Sequence, residues 1–197
     1  MSLAHSWEAA DGLPPEVAKL FRDHPDFHGV EPELLAAFPE WQVPLPGGKR
    51  ASQNDVFVLA RCGERTIAIM VEGKVAESFG PTLGEWLADS TDGKRTRLEF
   101  LRTLLGIRRD VPADIRYQLL HRTASALIEA RRFGTDAAAT VVHSFSPDSF
   151  RFDDFAAFCR LLGATPEIGR LACVRINDGM PLYLGWAKGD SRRSPLA

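Results

Sequence analysis

Apolar and polar positions change their spacing several times along the chain, and each spacing points to a different element. From Asn54 to Arg61, and again from Arg65 to Lys74, β-branched and apolar residues run almost without interruption, with Cys62-Gly63-Glu64-Arg65 between the runs. Such runs around a Gly-containing break predict two antiparallel strands joined by a tight turn at Gly63-Glu64. A turn centred there pairs Leu59 with Ala68, Phe57 with Met70 and Asp55 with Glu72. Helical spacing appears on both sides of the hairpin. Pro14 or Pro15 opens a helix through Glu16–Phe21, and Glu31–Phe38 predicts a second, stopped before Pro39.

Beyond the hairpin, Gly80-Pro81 predicts a turn, Trp86-Leu87 a buried anchor and Asp89–Gly93 a loop. Lys94–Leu105 places Leu98, Leu101 and Leu105 on one side of a helix closed by Gly106. Pro112 opens a long helix to Arg132 with Ile115, Leu119, Thr123, Ala126 and Ala130 inward. Its other face carries Asp114, Gln118, His121, Arg122, Ser125, Glu129 and Arg132. Arg116 falls on the apolar side, where an unpaired guanidinium is costly, so it needs a carboxylate or carbonyl partner. Asp136–Phe145 reads as a buried strand, and Ser149 as the cap of a helix with Phe155, Phe158 and Leu162 inward and Gly163 at its end. Leu171–Ile176 and Met180–Trp186 are strands joined by Asn177-Asp178-Gly179. A long helix between strands implies a crossover, hence an α/β fold with a central mixed sheet flanked by helices.

With 197 residues, 45% hydrophobic, the chain can bury one sizeable core, and no Pro/Gly/Ser-rich stretch reads as a linker. The expectation is a single domain over 1–197, with 1–10 and 190–197 as frayed ends. Cys62, Cys159 and Cys173 are odd in number and lack metal-ligand spacing, which suits reduced thiols in a cytoplasm. No signal segment or membrane-length apolar run is visible. A net charge of −2 argues against nonspecific coating of nucleic acid, but the charge is segregated. Residues 1–40 hold eight acids and two bases, whereas residues 93–132 hold ten bases and four acids. A phosphate backbone would prefer the second segment. The plainer alternative is two solvated faces that attract each other.

The candidate chemistry lies on the hairpin. Directly opposed strand side chains sit roughly 5 Å apart. Asp55 and Glu72 would therefore repel unless a cation or proton lay between them, and a hard-oxygen pair suits Mg2+ or Mn2+. Lys74 follows on the Glu72 side, because strand side chains alternate. Phe57, Leu59, Ala68 and Met70 share that face, so the three charges leave an apolar surface and enter a cleft. The competing reading is a strand end emerging into solvent with ordinary exposed charges. An E-x-K triplet alone is weak in a chain with 12 Glu and 5 Lys; its weight comes from the aspartate on the paired strand.

Asp55 at a strand start, followed by Glu72-Gly73-Lys74 at the end of its hairpin partner, resembles the PD-(D/E)xK phosphodiesterase superfamily of restriction-endonuclease-like nucleases. The resemblance in element order spans roughly residues 30 to 145. It implies a restriction-endonuclease-like mixed sheet and a Mg2+ or Mn2+ ion held by Asp55, Glu72 and the Gly73 carbonyl. Lys74 would position or activate the attacking water. The proline that precedes the first acid in the family is replaced by Asn54. A helical glutamine also recurs after the lysine, and Gln118 is its counterpart. Glu33 is a further candidate acid, from a helix preceding the first strand, against the plainer role of an acid favoured at a helix N-terminus. His121 and Arg122 are candidates for substrate contact.

Two other features carry less. His143, alone in an apolar run, reads as a satisfied core residue. Gly47-Gly48-Lys49-Arg50 lacks phosphate-loop spacing and does not lead from a strand into a helix. The expected function is a metal-dependent nuclease, with DNA favoured over RNA as substrate by the family resemblance alone, and with a protein partner for targeting conceivable for so small a domain. The alternative is a nucleic-acid-binding or regulatory protein on the same fold, without turnover.

Overall fold

The apolar runs either side of Gly63 form the centre of a six-stranded mixed sheet in the computed structural model, which describes residues 3–189. The strands are β1 (Glu33–Val43), β2 (Ser52–Cys62), β3 (Arg65–Lys74), β4 (Ala137–Ser144), β5 (Leu171–Arg175) and β6 (Pro181–Lys188), in spatial order β1-β2-β3-β4-β6-β5. β1 to β3 make an antiparallel meander. β4 lies parallel to β3, β6 parallel to β4, and β5 pairs antiparallel with β6 at the far edge. The β2–β3 register is the one the turn demands, with Leu59 opposite Ala68 and Phe57 opposite Met70. The Asn177-Asp178-Gly179 turn joins β5 to β6, with Gly179 in the left-handed region at φ 83°.

Helices cover both faces: α1 (Leu3–Glu8), α2 (Pro15–Arg22), α3 (Leu83–Leu87), α4 (Asp92–Leu104), α5 (Tyr117–Phe133) and α6 (Phe152–Leu161). Strand alternation divides the core in two. Val56, Val58, Ala60, Ile67, Ile69 and Val71 pack with Val17, Leu20 and Phe21 of α2. Phe57, Ala68 and Met70 pack with Leu119, Leu120, Ala124 and Leu127 of α5 on the other side. β4, buried at every position, needs no alternation because it has cover on both faces. The connection from β3 to β4 runs through α3, α4 and α5, so α5 lies across the sheet face that carries Asp55, Glu72 and Lys74.

Several expectations are corrected. Glu31–Phe38 is not a helix, because Glu33–Val43 is the edge strand β1. Its Leu, Ala and Glu content favours a helix, but pairing with β2 overrides that weak preference. The better signal was period two: Leu34, Ala36 and Phe38 are half-buried, whereas Leu35 and Ala37 are exposed. Glu33 is consequently no part of the site; it pairs with Arg61 at the other end of β2. The long helix begins at Tyr117 rather than Pro112, because residues 113–117 bond to the chain around α3. Leu83 N donates to Ile115 O at 2.7 Å, Gly84 N to Ala113 O at 2.8 Å, and Tyr117 N to Pro81 O at 3.1 Å. Asp114 thus lies off the helix. Ser149 sits at φ 52° and does not cap α6, whose N-cap is Arg151. Of the ends expected to fray, Leu3–Glu8 is helical with Leu3 packed on Gly73, and 190–197 lies outside the described residues.

Candidate active site

The β2–β3 ladder extends through Val56 opposite Val71, and the side chains just beyond it form a charged cluster against the first turns of α5. Asp55 Oδ2 accepts a hydrogen bond from the Gly73 amide at 2.9 Å, which ties the start of β2 to the end of β3. Asn54 is fully buried and donates to the Trp41 and Ser52 carbonyls, both at 3.1 Å, so it braces the backbone just before Asp55. Glu72 and Lys74 are 3% and 5% exposed, which excludes ordinary solvent-facing strand-end charges.

Glu72 is the hub. Its Oε1 accepts from Lys74 Nζ at 2.6 Å and from Gln118 Nε2 at 2.8 Å. Its Oε2 lies 2.8 Å from Arg122 Nε, at ion-pair distance but without hydrogen-bond alignment. Arg122 Nη2 is 3.5 Å from Asp55 Oδ1, so one guanidinium spans both carboxylates. Burial pushes the Glu72 carboxyl above its ordinary range; the guanidinium of Arg122 and the ammonium of Lys74 oppose the shift, and the charge of Asp55 adds to it. Lys74 Nζ also lies 5.0 Å from the centre of the Phe79 ring, which closes its apolar side.

The first turn of α5 supplies the other half. Leu119, Leu120 and Ala124 anchor the helix to the sheet, and spacings of three and four residues present Gln118, His121, Arg122 and Ser125 along the site side. Arg122 and Ser125 are buried, so this stripe is largely internal. His121 Nδ1 pairs with Ser52 Oγ at 2.7 Å. Burial and the neighbouring Arg122 and Arg97 charges push the imidazole down to about 3, so it is neutral at physiological pH. Ser52, Gln53, Arg50, Gln118, His121 and Arg122 line part of a cavity of about 600 Å³, walled by the stacked rings of Trp86 and Tyr117, 3.9 Å apart. Trp86, expected as a buried anchor, is half-buried in this wall.

Sequence reasoning missed Ser52 and Arg97. Arg97 is 8% exposed and donates to the Pro46, Leu45 and Gly48 carbonyls at 2.8, 3.2 and 3.3 Å, strapping the β1–β2 loop to α4. Only its place on a helix near the glycines could have hinted at this. Gly47-Gly48 serves close packing, since a Cβ at Gly47 would fall 2.1 Å from the Gly93 carbonyl oxygen. Arg116 finds both partners its position demanded, the Gly80 carbonyl at 3.0 Å and Asp154 at 3.1 Å. His143 is fully buried, with Nε2 2.7 Å from Glu16 Oε1 but Nδ1 without a hydrogen-bond partner, so the expected satisfied core residue is satisfied at one ring nitrogen only.

Among the described residues no cluster of three or more His, Cys, Asp or Glu could hold a metal. Two carboxylates and a main-chain carbonyl are too few for a closed site. They fit an ion such as Mg2+, which keeps several waters and is completed by substrate phosphate. Glu72 Oε2 and Gln118 Oε1 are buried without hydrogen-bond partners, and these are two oxygens that such an ion and its water could satisfy.

The fold and site together define an α/β protein with a mixed sheet and a buried Asp-Glu-Lys-Gln-Arg cluster where the central hairpin ends. Over residues 1–191 the chain matches the family described as "Domain of unknown function (DUF6946)", and it belongs to that family. No curated protein and no solved structure matches it.

Proposed function

We propose that the protein is a metal-dependent phosphodiester hydrolase of the PD-(D/E)xK type that cleaves nucleic acid, DNA in preference to RNA. The observation that carries this reading is the meeting of Asp55, Glu72, Lys74 and Gln118 around two buried oxygens without hydrogen bonds: Gln118 Oε1, and Glu72 Oε2 with its unaligned ion pair to Arg122. The restriction-endonuclease-like reading of the fold is supported by the placement of these residues: the acid is the fourth residue of β2, just before the strand's ladder with β3 begins at Val56, the E-x-K triplet ends β3, and the glutamine lies on the following crossover helix. The fold by itself is a weak warrant for substrate.

In this reading Asp55, Glu72 and the Gly73 carbonyl hold Mg2+ or Mn2+, which when bound polarises a phosphate oxygen and lowers the pKa of water. Lys74 stands beside Glu72 to orient the attacking water and stabilise developing charge. Gln118 donates to Glu72 and leaves its own oxygen to position that water. Arg122, and His121 more peripherally, meet the phosphate from the cavity side. The three free cysteines are consistent with a cytoplasmic location, and a protein partner would supply targeting. Among the described residues no helix is long and apolar enough to cross a membrane. One observation favours the second reading, a nucleic-acid-binding or regulatory protein without turnover: Arg122 already neutralises both carboxylates.

Calorimetric titration with Mg2+ and Mn2+, followed by incubation with mixed single- and double-stranded DNA, separates the two. The hydrolase reading requires metal binding that Asp55→Ala abolishes, together with metal-dependent cleavage. Metal binding without cleavage of any nucleic acid would favour the regulatory reading, and no metal binding with or without nucleic acid would end the hydrolase reading.

A further inference from the structure

The charges at the hairpin end are already balanced. Asp55 and Glu72 contribute two negative charges, and Lys74 and Arg122 two positive ones, within hydrogen-bond or ion-pair distance of each other. Glu72, Lys74 and Arg122 are each less than one-tenth exposed, so solvent screens this cluster poorly. A divalent ion added to it would leave an excess of two positive charges in a poorly hydrated site, a costly arrangement. The guanidinium is also in the way, because it spans Glu72 Oε2 and Asp55 Oδ1, the two oxygens a shared cation would need.

Arg122 is held less tightly than those distances suggest. Nε lies 2.8 Å from Glu72 Oε2 but is not aligned for a hydrogen bond, and Nη1 has no partner at all despite being buried. Its one hydrogen bond to a carboxylate, to Asp55, is 3.5 Å long. The side chain also borders the cavity of about 600 Å³, whose lining includes Arg50, Gln53 and Gln118 and no acidic residue. A phosphate group entering there meets no carboxylate among the lining residues, and offers Arg122 two oxygens in the fork geometry that guanidinium favours.

We propose that Arg122 occupies the place of the divalent cation between Asp55 and Glu72 and leaves it for the substrate phosphate, so that metal and phosphate bind cooperatively. This rests on the hydrolase reading of the same carboxylates. Arg122 thus has two successive partners: it keeps the acids apart from free metal until an anion arrives, and then holds that anion. Coupling of this kind is reciprocal, with each ligand strengthening the other by the same factor.

The test is Mn2+ titration by calorimetry of the whole chain, wild type and Arg122→Gln, alone and with a cleavage-resistant phosphorothioate oligodeoxynucleotide. Heats are corrected for Mn2+ binding to the oligonucleotide, and thermal unfolding verifies that the variant is folded. In the wild type the oligonucleotide strengthens Mn2+ binding about tenfold or more. In Arg122→Gln, Mn2+ alone binds tighter than to the wild type, and the oligonucleotide adds little. Equal Mn2+ affinity in the two proteins without oligonucleotide, or equal strengthening in both, overturns the coupling and leaves the metal site standing. No Mn2+ binding under any condition, or binding that survives Asp55→Ala, overturns the coupling and the hydrolase reading together. If Arg122→Gln fails to fold, Arg122→Lys serves to assign the Arg122 Nε–H signal in a nitrogen-15 spectrum of the wild type. That signal shifts when Mg2+ and oligonucleotide are added together, and its indifference to both would equally sink the proposal.

Discussion

One buried carboxylate, Glu72, is held by an ammonium, an amide and a guanidinium, and the consequences can be measured residue by residue. Glu72→Gln leaves Lys74 and Arg122 buried with their principal counter-charge gone. It should lower stability by about 3 kcal/mol in chemical denaturation, the usual cost of breaking a buried pair from one side. A loss within error of zero would mean the cluster is hydrated and loosely held. His121 sets a pH dependence. In the fold its imidazole is held down to about 3 against 6.5 in the unfolded chain, so below 6.5 the unfolded chain takes up the proton first. Stability from this group is complete above that value and is lost as pH falls through the window towards 3. Because the ring borders an open cavity, the loss between about pH 7 and pH 4.5 should be on the order of 2 kcal/mol rather than the full linkage value. His121→Asn should flatten that part of the profile, and an unchanged slope would contradict the assignment. The hairpin residues were legible because turn position and strand alternation place Asp55, Glu72 and Lys74 on one side without knowledge of the rest of the chain. Arg122 as a bridge between the acids was not legible, since its stripe on α5 resembled a solvated face until α5 was laid on the sheet.

At the scale of elements, the site depends on how the β1–β2 loop and the crossover helices are tied down. Arg97 holds three loop carbonyls, and Gly47 meets Gly93 so closely that no side chain fits between them. Gly47→Ala also forces a non-glycine residue to φ 82° and should cost about 2 kcal/mol or more, visible as a lower denaturation midpoint. Arg97→Ala should cost a similar amount, about 2–3 kcal/mol, by orphaning those carbonyls. A midpoint unchanged in both variants would show that the loop is not strapped to α4. Most elements were readable in the chain because their signals are local: apolar runs for β3 and β4, the Asp-Gly turn for β5–β6, and leucine spacing with a closing glycine for α4. β1 was misread because an edge strand has cover on one side only, and its Leu-Leu-Ala-Ala stretch carries good helix formers. The start of α5 was misplaced because Pro112 is a valid helix opener. What displaces the start is hydrogen bonding from residues 81–84, distant in sequence and invisible to any local rule.

Over the whole molecule, the charge segregation resolves into local pairing more than into one basic surface. Of the bases in residues 93–132, Lys94, Arg95, Arg102, Arg116, Arg131 and Arg132 pair with nearby carboxylates, and Arg97 and Arg122 are buried. Among the described acids of the first forty residues, Asp23, Glu31 and Glu33 pair with Lys19, Arg22 and Arg61 rather than with that segment. Among the described residues this segment leaves only Arg108 and Arg109 both exposed and outside the ion pairs, so if it is the segment that meets nucleic acid, affinity should fall only shallowly with salt. A log–log slope of about −2 to −3 is expected for this protein, against roughly −6 or steeper for one that makes many phosphate contacts. A steep slope would reveal a basic surface that the pairing conceals.

The most direct measurement is DNA cleavage in Mg2+ by the wild type and by Lys74→Met, with Mn2+ affinity and thermal stability recorded for both. Methionine preserves the length of the side chain beside Phe79 and removes only its charge and donors. The account predicts cleavage by the wild type that a chelator abolishes, and a fall of about 10²–10⁴-fold in the variant while Mn2+ still binds. Undiminished cleavage by Lys74→Met would contradict it, as would a wild type that binds the metal and cleaves neither single- nor double-stranded DNA.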